Sequence, residues 1–266
     1  MANQISGSIR RGTLALLLAT GGFAAMTPNP SSAADATPTR PILIELFTSQ
    51  GCSSCPPADA VLRDISTQGD VLPLAFHVDY WDYLGWADPF ASPTFTARQR
   101  AYASHRGFNV YTPQMVVDGR SASVGSNRSG VLSSIASAKE DAKGAPSTLT
   151  RAGGDVNVTI GTAPAAGASA SGKVYLISFD ERQSTAIRSG ENAGRNIVYA
   201  NVVRSMRSIG EWQNAPLKIT ERLRPEERGE RLALLVQSNA GDVWAVASTP
   251  ASVKAASRDQ EPLSSR

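Results

Sequence analysis

Cys52 and Cys55 are the only cysteines of this 266-residue chain, and both lie in "ELFTSQGCSSCPPAD", Glu45 to Asp59. Two serines separate them and two prolines follow at once. A C-x-x-C pair can serve as a redox-active disulfide, a clip for a soft metal ion, or a structural staple. The staple is the weakest reading, because closing so short a loop removes little chain entropy. Redox exchange needs one thiolate to attack and a second thiol to resolve the mixed disulfide. Cys52, at a helix start where unpaired N–H groups favour a thiolate, is the expected nucleophile, and Cys55 the expected resolving thiol. Ser53 and Ser54 can add donors, and no Lys, Arg or His between the cysteines signals a strongly acidic thiol. Pro56 restricts this geometry. A proline four residues into a helix clashes with the carbonyl of Cys52, so either the helix starts with Pro56 or Pro57 in its first turn or Cys52 lies outside it. A metal carrier would add His77, but with only His77 and His105 in the chain and no methionines near the cysteines, the donor set is thin for Cu(I).

The elements around the motif follow from periodicity. "ILIEL" before it reads as a short buried strand, and Ala58, Val61, Leu62 and Ile65 recur at helical spacing, predicting a helix over 57–67 with Asp59 near its start. "VLPLAFHVDYW" alternates as a strand with two unlike faces and should run parallel to the first, completing a βαβ unit. "DYLGWADPFA" is a long aromatic loop. Tyr80, Trp81, Tyr83 and Trp86 are placed either to wall a peptide cleft near the cysteines or to fill core. Ser92-Pro93 begins a helix with Phe95 and Tyr102 on one face, on which Arg98 and Arg100 are expected to face solvent. Thr112-Pro113 precedes a strand that ends in an Asp118-Gly119 turn, and residues 128–143 read as helix. From residue 147 the pattern changes to alternating strands, predicting an antiparallel, sandwich-like β-rich module. "ENAGR", Glu191 to Arg195, reads as a turn with a local ion pair, contact with the cysteine loop being the lesser alternative.

Strand, C-x-x-C at a helix start, second parallel strand and then Thr-Pro-x-x-Val-x-Asp-Gly resemble the thioredoxin arrangement over about Pro41 to Lys143. With "HVDYWD", "YTPQMVVDG" and "ENAGR", the mature chain resembles the secreted, thioredoxin-like family catalogued as domain of unknown function 1223. The resemblance implies an α/β thioredoxin-like domain at 35–146, a β-rich module at 147–247 and a polar tail at 248–266. It also implies disulfide chemistry with Cys52, Cys55, Glu45 and Pro113 as the catalytic set. Glu45 would accept the proton of Cys55 through water, or else merely satisfy a polar neighbour. A cis bond at Pro113 would turn the Thr112 backbone toward the cysteines as a docking edge, with Trp81 and Tyr80 beside it, whereas a trans bond would make an ordinary turn.

Residues 1–34 carry Arg10 and Arg11, an apolar run from Thr13 to Met26 and small residues before Asp35, the pattern of a cleaved signal peptide. The run is shorter than the roughly 20 residues that span a bilayer. The ordinary secretory route is favoured over the twin-arginine one, because Arg10-Arg11-Gly12-Thr13-Leu14 lacks the aromatic usual in that pattern. Membrane contact is therefore expected only during export, with a periplasmic or secreted product. The segment holds two basic and no acidic residues, so its removal lowers the formal charge from +3 to +1, and the pI near 9.0 makes no case for nucleic acid. The expected function is an exported thiol-disulfide oxidoreductase acting on protein or small thiols and disulfides, supplied by a separate redox partner. Its own disulfide would be the only cofactor, with no metal. A periplasmic copper carrier and a non-catalytic binding module are the alternatives.

Overall fold

The branched run after Pro41 forms β1 (Ile42–Thr48), buried at every position. Its neighbour β2 (Val71–His77) is likewise buried throughout and pairs with it in parallel, Ile42 opposite Val71 and Thr48 opposite His77. Between them runs α1 (Pro56–Ile65), one residue earlier at its start than the spacing predicts and two shorter at its end. Prolines at its first two positions suit a helix start, where their missing N–H groups break no ladder. The chain continues through α2 (Pro93–Arg106), β3 (Gln114–Val117), β4 (Ser121–Val124) and α3 (Arg128–Glu140). Ser92 caps α2 by accepting from the Thr94 N–H, and Gly107, at φ +70°, ends it. This computed structural model describes residues 40–142, 144–163, 170–227 and 231–251. The expected signal segment, most of the low-complexity stretch near residue 165 and nearly all of the polar tail lie outside the described residues.

The second half supplies β5 (Ser147–Ala152), β6 (Asp155–Ile160), β7 (Gly172–Ala186), β8 (Asn196–Trp212), β9 (Leu217–Arg222), β10 (Arg231–Gln237) and β11 (Val243–Ser248). The segment boundary expected at residue 146 is not a boundary of the sheet. Strands from both sides of it form one eight-stranded sheet in the order β11-β10-β7-β8-β2-β1-β3-β4, while β5-β6-β9 form a second sheet. The join between the halves is β2 with β8, a parallel contact with the single register pair Ala75 and Val202. Pro73 has no N–H to give there, and its carbonyl accepts instead from the Asn201 side chain at 2.8 Å.

Alternation along β1 and β2 separates two cores. Ile42, Ile44, Leu46, Val71 and Ala75 pack with α1 and α3, whereas Leu43, Phe47, Leu72, Leu74 and Phe76 face Phe95 and Tyr102 of α2. The α2-side core continues without a break into Ile177, Phe179, Val203 and Leu235 of the second half. A third cluster lies between the two sheets, joining Val156, Val158 and Ile160 to Leu176, Leu232 and Leu234. These shared cores make the described chain a mixed α/β structure dominated by one large sheet.

Candidate functional site

The cysteine loop lies between the C-terminal end of β1 and the start of α1, and Cys52 and Cys55 are joined by a disulfide. Cys55 is the N-cap residue of α1, so Cys52 lies outside the helix. This arrangement removes most of the thiolate stabilisation expected for Cys52. The first two helical residues, Pro56 and Pro57, have no N–H, and the next two N–H groups, of Ala58 and Asp59, both bond to the Cys55 carbonyl. The hydroxyl of Ser54, 3.4 Å from Cys52 Sγ, is the donor that remains beside it.

Under the loop is a buried polar cluster on the α1 side of the sheet. Asp59, one turn beyond Cys55 and 3% exposed, accepts from the Thr48 hydroxyl at 2.9 Å. Burial pushes its carboxyl up to about 7, against the pull of His77 and the Thr48 hydrogen bond, while the nearby Asp88 adds to the rise. His77 Nδ1 lies 2.6 Å from Asp88 Oδ2, and beside a carboxylate this nitrogen must be the donor. The imidazole packs edge-on against Phe90 and Tyr199, with ring centroids at 5.3 and 5.0 Å. His77 Nε2 and Tyr199 Oη are both buried and have no hydrogen-bond partner among the described residues. Asp88 also accepts from the Gln50 backbone N–H at 2.9 Å, tying the cluster to the cysteine loop. Burial alone would raise the Asp88 carboxyl. His77 and the N–H donors at Gln50 and Phe90 outweigh it and hold this acid below its ordinary value.

The site residues expected from sequence separate into two groups. Thr112-Pro113 is cis, and Trp81 Nε1 donates to Thr112 Oγ1 at 2.7 Å. A Cβ on Gly51 would meet Trp81 at 3.1 Å, so Trp81 bridges the cysteine loop and the Thr112 edge. Pro113 approaches α1 across Gly125, where a Cβ would lie 2.9 Å from Ala58 and 3.6 Å from Pro113. Tyr80 stays beside the Thr112 edge, its ring 6.2 Å from that of Trp81 and its hydroxyl, which donates to Gln99 on α2 at 3.1 Å, also interacting with the Thr112 side chain. Glu45 is on the opposite face of β1 from Thr48 and α1. Arg98 grips its carboxylate at 2.5 and 3.0 Å, and the Tyr102 hydroxyl donates to it as well. Arg98, expected at the surface, is in fact inside, stacked over Phe76 and Tyr102. Glu45 therefore follows its other expectation, that of satisfying polar neighbours, and the buried acid beneath the cysteines is Asp59. The clue in the sequence was Asp59 falling on the buried helical stripe with Leu62. "ENAGR" also goes beyond a simple turn. The Asn192 amide donates to the carbonyls of Gln50 and Cys52 at 2.9 Å each, and Glu191 accepts from the Ser53 N–H at 3.3 Å.

Among the described residues, no group of three or more His, Cys, Asp or Glu side chains is disposed to hold a metal ion. No helix there is long and apolar enough to cross a membrane.

A family described as protein of unknown function (DUF1223) matches residues 43–237. Among solved structures, a crystal structure of a protein from Agrobacterium tumefaciens is similar at 31% identity and a TM-score of 0.68, over 80% of this chain and 95% of that one. HBP35 of Porphyromonas gingivalis is similar in fold, at 12% identity and a TM-score of 0.55, over 86% of this chain and 78% of that one. No curated protein matches.

Proposed function

The chain belongs to the DUF1223 family, and from that footing we propose that it is an exported thiol-disulfide oxidoreductase whose first half is thioredoxin-like and whose working pair is Cys52 and Cys55. The observation that carries this reading is the position of the disulfide. It sits at the C-terminal end of the parallel β1/β2 pair, at the start of α1 and one helical turn from the buried acid Asp59. A structural staple has no use for an ionisable group buried beside it, since that burial costs stability. A disulfide that must shed and regain protons does.

In the reductive direction a substrate thiolate attacks Cys52 Sγ. The new S–S bond forms, the Cys52–Cys55 bond breaks, and its electron pair leaves on Cys55 Sγ. Protonated Asp59 supplies the proton that neutralises this buried thiolate. A second substrate thiolate then attacks the substrate sulfur of the mixed disulfide and frees Cys52, which takes a proton from solvent. Once Asp59 has regained its proton from solvent, two electrons and two protons have reached the protein and the substrate dithiol has become a disulfide. The reverse sequence oxidises a substrate.

Two measurements test this. Exported protein carrying Cys55→Ser should accumulate mixed disulfides through Cys52, and the Cys52→Ser, Cys55→Ser double variant should accumulate none. If the two variants trap the same adducts, the redox reading is lost. Second, the rate of disulfide reduction, corrected for the thiolate fraction of the reductant, should fall as pH rises through about 7, where Asp59 loses its proton. Asp59→Asn should flatten that step, whereas Glu45→Gln should leave it in place.

A further inference from the structure

The two cysteines are only 1% and 0% exposed, although Ser53 and Ser54 between them face solvent. A thiolate has to approach Cys52 Sγ in line with the S–S bond, so exchange requires the loop to shift. From beneath, the loop is held by Asp88 on the Gln50 N–H and by Ser49 Oγ on the Gly51 N–H at 3.1 Å. From outside, it is held by the tip of the β7–β8 hairpin. That tip binds main-chain groups: the carbonyls of Gln50 and Cys52 through Asn192, and the N–H of Ser53 through Glu191. It is seated in turn on the aromatic loop, where Ser189 Oγ donates to the Gly85 carbonyl at 2.6 Å and Gly190, at φ +77°, lies against Trp86. Asn192 is 1% exposed, so its amide exchanges no bonds with solvent while the tip is down.

The tip therefore offers the cysteine loop N–H donors for two carbonyls and an oxygen acceptor for one N–H. An extended polypeptide backbone carries the same complement of groups. We propose that Glu191 and Asn192 are specificity-determining residues, which keep the disulfide closed to small thiols and yield to a partner presenting an extended peptide segment. A peptide replaces the bonds it displaces, so opening the loop for it leaves no buried carbonyl unpaired. A small thiol replaces none of them and must bear the whole cost of opening. This deepens the redox reading and rests on it for the exchange step. The peptide thiolate bonds to Cys52 Sγ, the Cys52–Cys55 bond breaks, and Cys55 Sγ takes the electron pair and then the Asp59 proton. A second peptide thiolate attacks the bound peptide sulfur, closing the peptide's own disulfide and releasing Cys52 Sγ, which is protonated from solvent.

The test uses the oxidised full chain with two reductants at equal thiolate concentration: dithiothreitol, and a short unstructured peptide carrying two reduced cysteines. Acid-quenched samples are alkylated and the reduced fraction read by mass. The peptide should reduce the wild type faster. Asn192→Ala and Glu191→Ala should each raise the dithiothreitol rate, by about tenfold for the loss of the two Asn192 bonds and less for the single Glu191 bond. The peptide rate should change much less, so that the preference collapses. Glu191 is exposed, so its variant gives the answer even if Asn192→Ala loosens the fold. Equal rates in the wild type, or variants that change both rates by one factor, would overturn the role of the tip alone. A disulfide that neither reductant opens in the folded protein would overturn the redox reading with it.

Discussion

Asp59 and Glu45 are both buried carboxylates, yet their surroundings give them opposite parts. Glu45 meets a guanidinium head-on, and Arg98 is anchored further by Tyr102 and by Gln237 at 3.0 Å, so the pair is fixed and satisfied. Removing Arg98 strands a charge in the core, and Arg98→Ala should cost roughly 3–5 kcal/mol in denaturant unfolding. Asp59 has a hydroxyl partner and no direct cation, and its raised value has a signed consequence. Its ordinary value is 3.8 and its folded value about 7, so between these the folded state holds a proton that the unfolded chain has lost. This group's contribution to stability is therefore full below about pH 4 and declines as pH rises toward 7, by on the order of a few kcal/mol. Asp59→Asn keeps the Thr48 hydrogen bond and should abolish that decline. Thermal melts of both proteins at pH 5 and pH 8 check it: the variant should gain on the wild type at the higher pH.

At the scale of elements, the parallel pair, the helix between its strands, the Asp118-Gly119 turn and most second-half strands were legible from local pattern. Asp118 and Gly119 have the φ values of +53° and +67° that the turn requires. Less legible was whatever depends on partners far along the chain. Arg98 looked solvated because its helix carries polar residues on several faces, and only Glu45, 53 residues away, and Gln237, 139 away, explain its burial. The contact of "ENAGR" with the cysteine loop spans some 140 residues and leaves no periodic trace. Gly125 is a local feature with a long-range reason: it lets the Pro113 segment close on α1. Gly125→Ala would push a methyl to 2.9 Å from Ala58 and should destabilise by about 1–3 kcal/mol, read from the shift in urea midpoint at constant slope.

For the whole molecule, the core on the α2 side decides how the halves depend on one another. Leu43, Phe76 and Phe95 from the first half share it with Phe179, Val203 and Leu235 from the second. A chain truncated after residue 146 would leave β2 as a bare edge over an open apolar face, and it should fail to give a cooperative melt. The intact chain should melt in one transition by circular dichroism and tryptophan fluorescence alike. Two separated transitions, or two stable pieces after cleavage near residue 144, would show that the shared core matters little.

The join between those halves also has a mechanical side. Because Pro73 withholds its N–H and only Ala75 registers with Val202, β2 and β8 adhere through side chains more than through a ladder of backbone bonds. Side-chain contacts tolerate sliding better than a hydrogen-bonded register does, so this is the compliant line in an otherwise stiff sheet. Tyr199 lies three residues before Val202 on β8, against His77, two residues past Ala75 on β2. A slip along the line would shift Tyr199 against His77, the imidazole that shares Asp88 with the Gln50 N–H of the cysteine loop.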